Sequence, residues 1–88
     1  MRILFLDWNC FNGEATKKAM KEQGHVVLPF FHKKYDALES YDFCECFEKF
    51  VKENRPSVIF SYNYFPLVAQ CCHDKNLPYV SVVYDNPA

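Results

Sequence analysis

The chain has 88 residues, 50% apolar and 18% aromatic, with ten basic against eleven acidic side chains and a formal charge of -1. A chain of this size buries roughly 60–65% of its unfolded surface, enough for one domain and one core but not for a two-domain enzyme with its own cleft. The composition excludes intrinsic disorder, and the near-neutral balance lacks the basic stripe that nucleic-acid binding requires.

Residues 2–7 (RILFLD) form a run too short and too apolar for an amphipathic helix, and read as a buried parallel strand. Asn12-Gly13 offers a turn and a helix start. Residues 14–23 follow as a helix, with Ala15, Ala19 and Met20 on one side and Lys17, Lys18, Lys21 and Glu22 on the other. Gly24 suits the left-handed residue that ends such a helix. Residues 25–30 are the second strand, and residues 31–41 a basic loop carrying His32, Lys33 and Lys34.

Asp42 and Glu45 have the spacing of a capping box, and Phe43, Phe47, Phe50 and Val51 then recur as one helical stripe. Asn54-Arg55-Pro56 stops that helix, and residues 57–62 make strand three. Pro66 fits a first helical turn. Leu67, Val68, Cys71 and Cys72 keep an apolar face, His73 to Asn76 close the helix, and residues 79–84 are strand four.

Alternating strands and helices imply right-handed crossovers and an α/β/α three-layer domain with a four-stranded, parallel, Rossmann-like sheet. Strands one and three are the most apolar, which favours the order 2-1-3-4, with 3-2-1-4 as the alternative. The chain stops at Ala88 directly after a strand. Residues 1–88 are therefore expected to be a single domain and the N-terminal half of a longer protein.

No apolar run approaches the ~20 residues of a membrane span, and the start lacks a signal-peptide pattern, so a cytoplasmic location is expected. Five cysteines without C-x-x-C spacing suit reduced structural thiols better than a disulfide framework or a zinc site, with Cys10 the one suspect as a reactive thiol. The three histidines share no metal-ligand spacing, and neither metal nor cofactor is expected. His25 reads as structural, and His32 as part of a solvated loop that an anion would otherwise meet. With only Gly13 and Gly24, neither dinucleotide nor P-loop glycine motifs can be written. The hydrolase elbow is missing too.

What remains is chemistry at strand ends. In an open α/β sheet, ligands bind beyond the carboxyl ends of the strands. Asp7 with Trp8, Asn9 and Asn12, Asn63 with Tyr64, and Asp85 with Tyr84 and Asn86 follow strands one, three and four. Each has a local alternative. Asp7 or Asn12 would cap the next helix, with Trp8 covering the sheet edge. Asn63 would cap the helix at Pro66, although Ser61 is spare for that. Asp85 would form a turn before Pro87. If the three tips are neighbours, Asp7 and Asp85 are the candidates for a general base. Trp8, Asn9, Asn12, Asn63, Tyr64, Tyr84 and Asn86 are then candidates for recognising substrate hydroxyls and sugar faces.

The strings RILFLDWN, RPSVIFSYNYFP and LPYVSVVYDNP together resemble the N-terminal domain of bacterial CgeB-like, spore-protein-type glycosyltransferase-like proteins, across nearly the whole chain. The resemblance is carried by Asn63, Tyr64, Pro66, Tyr84, Asp85 and Pro87. It implies an acceptor-side domain of a GT-B-type enzyme, inactive alone, binding a sugar or glycan acceptor. The nucleotide-sugar donor would bind a C-terminal domain outside these residues. Where that pattern often has tryptophan before Tyr-Asp, this chain has Val82-Val83. The rivals are a flavodoxin-like or receiver-like signalling module, in which strand three would need a phosphorylatable aspartate instead of Ser61-Tyr62-Asn63, and a protein-interaction module.

Overall fold

The computed structural model describes residues 1–83. The elements run β1 (Arg2–Leu6), α1 (Gly13–Glu22), β2 (Val26–Phe30), α2 (Tyr41–Asn54), β3 (Val58–Tyr62), α3 (Pro66–Asp74) and β4 (Tyr79–Val82). All four strands are parallel, in the order β2-β1-β3-β4. The expected α/β class holds, and the alternative order is excluded. Pro29 lies on the edge strand β2, in register with Phe5; a residue with no N–H to donate is tolerated at an edge and not in the middle of a sheet.

Alternation along β1 sorts the core. Leu4 and Leu6 point to the face covered by α2 and α3, where they join Phe30, Phe43, Phe47, Ile59, Leu67, Val68, Cys71 and Cys72 in one buried cluster. The expected stripe on α2 is there, with Phe43 and Phe47 fully buried and packed edge-on to Phe30. Phe5 points the other way, toward α1. Gly13 lets that helix come close, since a Cβ at this position would lie 3.0 Å from Cys10 Sγ and 3.9 Å from the Phe5 ring.

Three local expectations are overturned. The sheet-facing side of α1 carries Gly13 and Lys17, whereas Ala15 and Ala19 are exposed. Small alanines gain little from burial, while the Lys17 stem lies on Phe5, with Nζ 5.6 Å from the ring centre. The cap of α2 is Ser40, whose Oγ accepts from Phe43 N–H at 3.0 Å, so the Asp42–Glu45 box does not form. A hydroxyl two residues earlier satisfies the orphan donor, and Asp42 is inside the helix. Ser61 is not spare for capping: it is fully buried, donating to Asn63 O (2.6 Å) and meeting the Tyr79 hydroxyl (2.5 Å).

The ends of the helices are otherwise as the sequence implies. Gly24 has φ +91° after α1, Arg55 is left-handed after α2, and Pro66 opens α3. Arg2 donates from Nε (2.9 Å) to the carbonyl of Asn54, placing a cation at the negative end of α2. Among the described residues no helix is long and apolar enough to cross a membrane.

Candidate functional site

The strand order creates one topological switch: the chain moves outward from β1 to β2, then returns to the other side of β1 with β3. Beyond the carboxyl ends of β1 and β3 is where an open α/β sheet has its crevice. The structure ties these ends together. Trp8 Nε1 donates to Tyr62 O at 2.9 Å, and Asn63 N donates to Val82 O at 2.7 Å, so the tips of β1, β3 and β4 adjoin.

Trp8 is half-buried between rings, stacked on Tyr35 at 6.0 Å and edge-on to Phe65 at 5.8 Å. It floors the switch point. Tyr35 also meets Phe65 and Phe31, so the loop after β2 contributes to this rim, which no local pattern in that loop foretold. Tyr64, 55% exposed, stacks on Tyr79.

Asp7 follows β1 and is one-third exposed. Its Oδ2 accepts from Lys17 Nζ at 2.6 Å, and Lys17 also reaches Glu14 at 2.8 Å. The hydrogen bond to Asp7, then that to Glu14, holds the Lys17 ammonium above its ordinary pKa, against the opposing effect of burial. Asp7 therefore presents a charge already paired within the fold.

Asn9 and Asn63 both adopt left-handed backbone, at φ 64° and 66°. Asparagine enters that region more readily than other residues with a Cβ, so each meets a turn requirement that hydroxyl recognition alone would not impose. Asn63 does not fulfil its capping alternative at α3, whose N-cap is Phe65 without a side-chain bond. Asn12 is the N-cap of α1, again without a side-chain cap bond. It lines a separate groove of about 290 Å³ with Ala15, Thr16, Ala19, Met20 and Tyr62. Asn12 thus belongs to the α1 side of the sheet. Tyr84, Asp85 and Asn86 lie outside the described residues.

Sequence spacing gave no sign of one further cluster. His32, Asp42 and Cys46 bring one donor atom each within 4.8 Å of one another. His32 is not in a solvated loop: its side chain is 11% exposed, edge-on to Phe43, with Nε2 3.4 Å from Asp42 Oδ2. Nδ1 accepts from Lys34 N–H at 3.1 Å. That leaves the proton of a neutral ring on Nε2, facing the carboxylate, whereas a metal ligand needs a lone pair there. The arrangement satisfies itself without an ion.

No family model, curated protein or solved structure matches the chain.

Proposed function

We propose that the chain is the acceptor-side domain of a GT-B-type glycosyltransferase-like protein, of the CgeB-like kind its strings resemble, binding a sugar or glycan at the tips of β1, β3 and β4. The observation that carries the reading is the Trp8 Nε1–Tyr62 O bond at the switch point. It fixes an indole at the mouth where α/β sheets take their ligands, with the exposed ring of Tyr64 nearby in sequence on the β3 loop. Aromatic faces suit the apolar face of a sugar ring, and the asparagines after both strands suit its hydroxyls. In this reading Asp7 acts through Oδ1, because Lys17 holds Oδ2. Asp85 is the second candidate base, and the donor belongs to a further domain.

Trp8 is the sole tryptophan, so its fluorescence reports on this mouth alone. Titration with neutral mono- and oligosaccharides should change it saturably. Asn63→Gly keeps the left-handed backbone and deletes the amide. Weakened binding with unchanged stability supports a recognition role, and unchanged binding rejects it. Absence of any saturable response in the wild type rejects the acceptor reading.

One observation favours a second reading, a protein-interaction module. On the α1 side of the sheet, Val80 and Val82 remain 48% and 45% exposed, and Phe60 and Tyr62 are only half-buried. Parallel sheets are ordinarily covered on both faces. A self-association or partner-binding equilibrium abolished by Val80→Lys, with saccharide binding absent, would select this reading.

A further inference from the structure

We propose that Cys44 and Cys71 form an oxidisable pair that closes into a disulfide between α2 and α3 when the protein meets a hydroperoxide. The two Sγ atoms stand 3.2 Å apart. A disulfide is about 2.05 Å long, so an approach of little more than about 1 Å separates the reduced pair from the bond. The helices are already held together by Lys75 Nζ and Glu48 at 2.8 Å.

Beside the pair is a cavity of about 50 Å³ lined by both cysteines, Phe47, Glu48, Asp74 and Lys75. A molecule the size of water occupies about 30 Å³ in the liquid, so a small peroxide fits. Burial decides the order of events. Cys44 is partly buried, whereas Cys71 is buried, and burial pushes the Cys71 thiol up to about 12. Cys71 keeps its proton until an electrophile is beside it.

The step balances as follows. The Cys44 thiolate attacks one oxygen of hydrogen peroxide, the O–O bond breaks, and hydroxide leaves and takes up a proton as water. Cys71 sulfur attacks the resulting sulfenic sulfur, the S–S bond forms, and the S–O bond breaks. The departing hydroxide takes the Cys71 proton as the second water. Two electrons pass from the two thiols to one peroxide.

The other cysteines have different surroundings. Cys10 sits against Gly13, Cys72 is 1% exposed and its thiol is likewise pushed up to about 12 by burial, and Cys46 is exposed at the surface. An odd total of five does not forbid one specific pair.

The test exposes the full chain to hydrogen peroxide, removes the peroxide with catalase, then unfolds the chain at neutral pH, alkylates the remaining thiols and counts the adducts by mass. The count should fall from five to three, peptide mapping should place the cross-link at Cys44–Cys71, and a dithiol should restore all five. Cys46→Ser should keep the cross-link. Cys44→Ser and Cys71→Ser should each abolish it, with circular dichroism checking that both are still folded. A thiol count that stays at five overturns the proposal. So does a cross-link that persists in Cys44→Ser, one that maps elsewhere, or oxidation that stops at sulfinic acid on Cys44.

Discussion

Replacing Lys17 with methionine keeps the length of the stem on Phe5 and deletes the ammonium that Asp7 faces. Removing one partner of a fully buried ion pair costs about 3–5 kcal/mol. The Asp7 side chain is 31% exposed, so water recovers part of that, leaving about 2 kcal/mol. Glu14, 92% exposed, adds nothing measurable. The lost cation–π contact with Phe5 adds about 0.5–1 kcal/mol. Lys17→Met should therefore cost about 2–3 kcal/mol, a large share of the roughly 5–10 kcal/mol that a domain of this size holds. At about 4–8 °C per kcal/mol the thermal midpoint falls by about 10–20 °C. Urea unfolding followed by Trp8 fluorescence measures it. Adding Asp7→Asn should recover about half the loss, because the second change removes the orphaned charge. A loss below about 0.5 kcal/mol, or strict additivity in the double variant, would show that Lys17 and Asp7 are not coupled. The pH dependence has a fixed sign. The folded-state pKa of Lys17 lies above its ordinary 10.5, so its contribution is complete below that value and disappears as pH rises through the folded pKa. The gap between wild type and Lys17→Met should close in alkali.

Ser40→Ala should cost about 1 kcal/mol in urea unfolding, whereas Asp42→Asn should cost less than about 0.5 kcal/mol, because Asp42 is 72% exposed. A larger loss at Asp42 would restore the capping box. Tyr79→Phe should cost about 1–2 kcal/mol by removing the partner of the buried Ser61 hydroxyl. Burial raises Tyr79 above its ordinary 10.0. Its stabilisation is intact below that pH and is lost as pH rises through the folded value, so tyrosinate absorbance should show a late-titrating tyrosine missing from Tyr79→Phe. Gly24→Ala should cost about 1–2 kcal/mol from its φ of +91° alone, since nothing lies within 4 Å of the added Cβ. A neutral result would place that strain elsewhere.

Elements whose stability is local were legible in the sequence. The Phe43–Phe47 stripe, the stop at Asn54-Arg55-Pro56, Gly24 and Pro66 each act within a turn or two, and alternating patterns then dictate the parallel sheet. The apolarity of strands one and three favoured the observed order as well, by marking both as central. The side of α1 that meets the sheet was not legible, because it is set by how closely Gly13 lets the helix approach Phe5 and by a charge ten residues away at Asp7. The Ser40 cap shows a short-range ambiguity, where two acceptors in one window compete and the earlier wins. Proximity of Cys44 to Cys71, of Trp8 to Tyr35 and of His32 to Asp42 depends on segments brought together by folding, and no spacing rule encodes it. At the candidate site, the strand-end positions of Asp7, Trp8 and Asn63 followed from topology. Their partners did not.

We propose above that the adjoining tips of β1, β3 and β4 form a saccharide-binding mouth. Nitrogen-15 correlation spectra of the labelled chain during saccharide titration test it residue by residue. The Trp8 indole N–H and the amides of Asn9, Asn63 and Tyr64 should move together along one binding curve. Shifts gathered instead at the opposite strand ends, near Arg2, Val26 and Val58, would contradict it.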